Sequence, residues 1–218
     1  MGNFYRNRDV DFEIKYNCNN HVASFTNLDD VKILTFQTPG SSRYKIRFLF
    51  DEPSYTLTIS GDLGYLVAQN ECNMTFEKFS QFLNSPGYFL EKVKAMSRPA
   101  YMYDGQKARK KLEEYLDSLG TKFEEFLKYD EDYCLEEPDE AKSLFTEAVL
   151  DNFTDAAGIS DNGAEVLARL DDALRTNFLL EEGYELGRMP TGTIELYLKL
   201  FALAVRQLYT ENAYTFAN

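Results

Sequence analysis

Between residues 31 and 69 apolar and polar positions alternate with a period of two. The runs "VKILTFQT" and "RYKIRFLF" are rich in β-branched and aromatic residues and are separated by "PGSS"; "YTLTIS" follows "DEPS", and "YLVAQ" follows "GDLG". Short runs of this kind, bounded by turn-forming residues, predict an antiparallel meander of about three or four strands over roughly residues 31–70. In the second run Tyr44, Ile46, Phe48 and Phe50 fall on one face and Arg43, Lys45 and Arg47 on the other. A half-buried strand requires that alternation, and it would give the sheet a basic face. Gly61-Asp62-Leu63-Gly64 supplies the residues a hairpin connection needs.

After residue 73 the period lengthens to that of a helix. Thr75 can cap a helix carrying Phe76, Phe79, Phe82 and Leu83. Ser85 and Pro86 can start a second, carrying Phe89, Leu90, Val93 and Met96. From Asp104, the positions Ala108, Leu112, Tyr115, Leu116 and Leu119 make one apolar stripe that Gly120 ends. Asp139 to Phe153 is amphipathic; Asn162 or Gly163 opens a helix with Val166, Leu167, Leu170 and Leu174; a last helix spans about Thr191 to Thr210. That last one is apolar around most of its girth, which predicts a central position or an oligomer seam. The expected fold is α+β: a small antiparallel sheet with packed helices, then a helical C-terminal part. The expected division is an N-terminal domain over 1–128, with its sheet at about 31–70 and helices at about 75–128, and a helical domain over 139–218, joined by an acidic connection at 129–138.

Charge changes the picture. The 218 residues carry 23 Lys and Arg against 36 Asp and Glu, a net charge of −13. Residues 1–110 hold 14 basic and 12 acidic side chains, whereas residues 111–218 hold 9 and 24. A field of this sign disfavours nonspecific binding to nucleic acid or anionic membrane and suits a basic partner. Cys18, Cys72 and Cys134 are odd in number and widely spaced, and the start "MGNFYRNRD" is polar, so a reducing cytoplasm is the expected setting. The segment "IELYLKLFALAV" is interrupted by Glu195 and Lys199 and is too short to span hydrocarbon, and Arg6 stands where a myristoylation signal needs Ser or Thr.

Candidate chemistry is sparse. Cys18 and His21 have a C-x-x-H spacing, but the other cysteines stand alone, whereas zinc sites bring close pairs; the same residues lack the cationic neighbours that make a reactive thiolate. Asp9, Asp11 and Glu13 alternate along "DVDFE" and, in a strand, would share a face able to hold Mg²⁺; the same alternation follows from Val10, Phe12 and Ile14 pointing inward. No phosphate-binding, dinucleotide, nucleophile-elbow or zinc-protease motif is present. No metal, cofactor or catalytic residue is therefore expected. The strongest feature is the stretch "KYDEDYCLEEPDEAK", which gathers Asp130, Glu131, Asp132, Glu136, Glu137, Asp139 and Glu140 around Tyr129 and Tyr133. Acids in an exposed connection and in the first turn of a helix can serve solvation and the helix dipole alone. Spread over several helices, carboxylates can also imitate a phosphate backbone, with tyrosines as rigid contacts.

Residues 43–119 carry "YKIRFLFDEPSYTLTISGDLGYLVAQ" and "GYFLEKVKAMSRPAYMYDGQKARKKLEEYL". This part resembles small proteins from phages and prophages of Gram-positive bacteria, a group that includes anti-CRISPR proteins acting on RNA-guided nucleases or their guide RNA. The resemblance implies an origin and no catalytic residue, and it excludes the acidic half. The leading expectation is an inhibitor in the host cytoplasm whose acidic stretch occupies the basic nucleic-acid groove of a defence protein such as a CRISPR nuclease. One alternative is a protein that uses Arg43, Lys45 and Arg47 on guide RNA, or Asp9, Asp11 and Glu13 as a metal-dependent nuclease. Another is a homo-oligomeric phage assembly factor.

Overall fold

A computed structural model describes residues 9–133 and 137–215. The fold is α+β, and the chain forms two compact units, residues 1–100 with 191–218 and residues 101–190. The acidic connection lies inside the second unit, and the last helix belongs to the first.

In the first unit six strands run in sequence order as an antiparallel sheet: β1 (Val22–Leu28), β2 (Val31–Gln37), β3 (Ile46–Asp51), β4 (Thr56–Gly61), β5 (Leu66–Gln69) and β6 (Val93–Met96). Ile46, Phe48 and Phe50 of β3 face the core with Leu34, Phe36, Leu57, Ile59, Leu66 and Ala68, all but inaccessible to solvent. The opposite face carries Ser24, Thr35, Arg47 and Ser60 in one register row and Thr26, Ile33, Leu49, Thr58 and Val67 in the next. It is thus rich in hydroxyls rather than broadly basic, because β3 begins only at Ile46, after a backbone reversal at Tyr44 (φ 55°).

Over the core face lies α8 (Thr193–Thr215). Its Phe201 ring meets Phe48, Phe50, Phe76 and Phe79 with centroids 4.7–6.0 Å apart and steeply inclined, the edge-to-face arrangement that the ring quadrupoles favour. Tyr197 is buried and donates its hydroxyl to the Leu63 carbonyl at 2.7 Å, so the sheet connection and α8 lock together. The girth of apolar residues on this helix is answered by the core of its own unit.

Three local expectations are corrected. "DVDFE" belongs to the helix α1 (Val10–Asn17), where Asp9 caps the first turn by accepting from Phe12 N at 3.0 Å. The helix expected from Thr75 contracts to a 3₁₀ turn, Phe79–Phe82. Val93 and Met96 leave the short helix α2 (Pro86–Glu91) and form β6 on the free edge of β5, where ladder hydrogen bonds outweigh weak local helix propensity.

The second unit opens and closes on one ladder, β7 (Tyr101–Tyr103) against β8 (Arg188–Pro190). Between them come α3 (Gly105–Leu119), α4 (Thr121–Tyr129), α5 (Pro138–Val149), α6 (Asp161–Leu174) and the short α7 (Phe178–Glu181). Asp104 caps α3 through Gln106 N and Lys107 N, and Ser160 caps α6 through Gly163 N. The inward stripes of these helices, with Leu112, Leu116, Phe123, Leu127, Phe145, Leu167 and Leu170, make a separate core.

Candidate functional site

The whole charge excess resides in the second unit. Residues 101–190 carry 23 Asp and Glu against 10 Lys and Arg, and the rest of the chain carries 13 of each. Most of the unit's cations are already engaged: Arg109 with Glu147 and Lys111 with Glu182 at 2.9 Å, Lys142 with Asp117, and Arg188 with Glu185. These are solvent-facing pairs of small energetic worth, but each removes a cation that would otherwise quench the surrounding acids.

The acidic stretch is organised by Arg169. Its guanidinium reaches Asp132 at 2.7 Å, Asp130 at 3.8 Å and the Tyr133 hydroxyl at 3.3 Å. Asp130 also accepts from Asp132 N at 3.0 Å, a local turn that prepares both carboxylates for the same cation. Tyr133 is only 5% exposed and packs edge-on against Phe145. Burial pushes its phenol above the usual tyrosine range, and Arg169 partly opposes this. Tyr133 is therefore a core anchor for the loop rather than a partner contact, because its ring is buried in the core of this unit against Phe145.

What remains at the surface is narrower than the sequence implied. Glu131, Glu137, Asp139 and Glu140 are exposed and have no ion-pair partner among the described residues; Glu136 lies outside the described residues. Tyr129, at 79% exposed, is the available aromatic. Glu165 and Asp172, also exposed, stand one turn to either side of Arg169 on α6 and so flank the clamped loop. Beside them opens a cavity of about 490 Å³, with Phe126, Ala173 and Leu174 as apolar lining and Tyr129, the carboxylates Glu125 and Asp130 and the cations Lys122 and Arg169 as its other walls. With charges of both signs on its walls, this recess is amphipathic, and the surplus of carboxylate lies outside it, at Glu131, Glu165 and Asp172. Glu165 and Arg169 escaped the sequence reading, which counted Asp172 only within a scatter of helix acids, although their spacing placed all three on one helix face; proximity to the loop is a tertiary fact.

The other candidates are held elsewhere. Asp11 pairs with Lys199 at 2.8 Å, while Asp9 serves as a cap, so these two acids have structural partners. Cys18 is buried, with its thiol pushed up to about 11 by burial and by Glu13. His21 is buried with both ring nitrogens in contact with protein oxygens. Among the described residues no group of three or more His, Cys, Asp or Glu gathers to hold a metal. Arg43 reaches Asn17 at 3.5 Å, whereas Lys45 and Arg47 line a cavity of about 340 Å³. Among the described residues no helix is long and apolar enough to cross a membrane.

Comparison with models of known families, with curated proteins and with solved structures found no match.

Proposed function

We propose that this protein is a phage-encoded inhibitor of a bacterial defence effector, an anti-CRISPR protein that occupies the basic nucleic-acid groove of an RNA-guided nuclease in the host cytoplasm. The observation that carries the reading is the confinement of the entire net charge to residues 101–190, against a neutral remainder. A general solubilising charge has no need of that segregation. A polyanionic docking face does, since like carboxylates on neighbouring helices raise the local potential where a cationic groove must be steered in. Glu131, Glu165 and Asp172 form the centre of this face, Tyr129 supplies contact area, and Arg169 holds the loop in register. The activity is binding and exclusion, with no bond made or broken.

The test is competition on a purified nuclease loaded with guide RNA. The protein is expected to compete with target DNA, with an affinity that falls steeply between low and physiological salt, as for a ligand replacing several phosphates. Charge reversal at Glu131, Glu165 and Asp172 together is expected to weaken binding by about a hundredfold or more, mostly through slower association. Affinity indifferent to ionic strength, or simultaneous binding of protein and target DNA, overturns the proposal.

A further inference from the structure

We infer that the open pocket where β3 begins and β4 ends, lined by Ser42, Lys45, Arg47, Ser60, Gly61 and Asp62, is a binding site for a phosphate group. This site lies in the electrically neutral unit and does not depend on the acidic face.

Its construction starts with the backbone. The Lys45 carbonyl accepts from Asp62 N at 2.9 Å, and Lys45 N donates to the Ser42 carbonyl at 3.1 Å, folding the segment before β3 over the end of β4. A Cβ at position 61 would stand 2.1 Å from the Lys45 carbonyl oxygen, so only glycine allows this approach. Arg47 and Ser60 are direct cross-strand partners in the β3–β4 register and share the face away from the aromatic core. The result is a cavity of about 340 Å³ with an ammonium, a guanidinium and two hydroxyls on its walls.

None of these four groups has a hydrogen-bond or ion-pair partner among the described side chains, so all four are free to meet a ligand. Lys32 is held between Glu52 and Glu77, and Lys199 between Asp11 and Glu195. The single carboxylate of the pocket, Asp62, accepts from Tyr44 N at 2.9 Å, and its own carbonyl accepts from Arg98 at 3.2 Å. Asp62 thus bears on the loop backbone and brings a third cation near. Guanidinium and ammonium together with hydroxyl donors match the several oxygens and the charge of a tetrahedral phosphate.

The test is a titration of the full chain followed by amide nuclear magnetic resonance, with inorganic phosphate, adenosine 5′-monophosphate, adenosine and a short single-stranded oligoadenylate as separate ligands. Saturable shifts at Ser42, Arg47, Ser60 and Gly61 with phosphate and the monophosphate, and none with adenosine, are expected. K45Q/R47Q is expected to weaken binding by about tenfold or more with the remaining spectrum unchanged, and S60A by a smaller factor. Both are surface changes that leave the aromatic core intact. An oligonucleotide that binds more tightly than the monophosphate assigns the site to a phosphodiester backbone; the reverse order assigns it to a small phosphorylated ligand. Equal shifts with adenosine, no shift at these amides with any phosphate, or unchanged affinity in K45Q/R47Q overturns the inference while leaving the acidic face untouched.

Discussion

His21 is the one histidine of the chain, and its burial favours the neutral ring. A carbonyl can only accept, so the Nε2–H donates to the Tyr44 carbonyl at 3.1 Å; in the neutral ring Nδ1 then accepts from the Thr38 hydroxyl at 3.1 Å, and Phe36 packs on the ring. Burial lowers the pKa below the usual histidine value, and the hydrogen bond to Tyr44 opposes this only in part. The unfolded chain therefore binds a proton at higher pH than the folded one. Stability contributed by neutral His21 is full above about pH 6.5 and is lost as pH falls from there through the lowered folded value. Denaturant unfolding across this window is expected to show a fall in stability that His21→Gln removes; an identical slope in the variant refutes the assignment. The spacing of Cys18 and His21 is visible in the sequence, but nothing there reveals that both hydrogen-bonding positions of the ring are already taken. Asp130 and Asp132 repeat the lesson, since their partner Arg169 comes from a helix more than thirty residues on.

At the scale of elements, strong patterns translated directly and weak ones did not. β3 keeps the alternation of Ile46, Phe48 and Phe50, and α3 keeps the stripe of Ala108, Leu112 and Leu116 up to Gly120. β1 was not legible because only Ala23 in it is buried, so its pairing with β2, not its own apolar content, makes it a strand. Val93 and Met96 fit a helix equally well until the free edge of β5 is known. The element with most influence on the first unit is α8, through Phe201. Phe201→Ala removes four ring contacts from a site 2% exposed and is expected to cost about 3–5 kcal/mol, read as a lower denaturant midpoint. Leu203, at 37% exposed on the same helix, is the control; Leu203→Ala is expected to cost about 1 kcal/mol or less. Equal losses would mean that α8 is not seated as described.

For the molecule as a whole, the second unit is inserted into the first between Ala100 and Thr191. Both junctions are closed: Thr191 N donates to the Ala100 carbonyl at 2.9 Å and its hydroxyl to the Pro99 carbonyl at 2.8 Å, while Tyr101 pairs with Pro190 and Arg188 lies over the Tyr101 ring at 3.7 Å. Each unit thus has adjacent ends, the geometry that tolerates excision. Replacing residues 101–190 by a short Gly-Ser linker is expected to leave a cooperatively folding protein near neutral charge, and residues 101–190 alone are expected to fold as a helical, strongly acidic domain. Truncation after residue 190 is expected to abolish folding of the first unit, because it removes α8 with Tyr197 and Phe201. Circular dichroism and denaturation of the three proteins check this; a folded truncation product contradicts it.

The sequence by itself determined the α+β class, the faces of the strongly periodic strands and helices, and the excess of carboxylate, because period and charge are properties of consecutive residues. Tertiary structure alone decided that the last helix returns to the sheet, that Arg169 clamps the acidic loop, that Tyr133 turns inward, and that the charge belongs to one unit. Each of these pairs residues far apart along the chain, and the free energy of such a pairing depends on which surfaces meet, a quantity no local window of sequence contains.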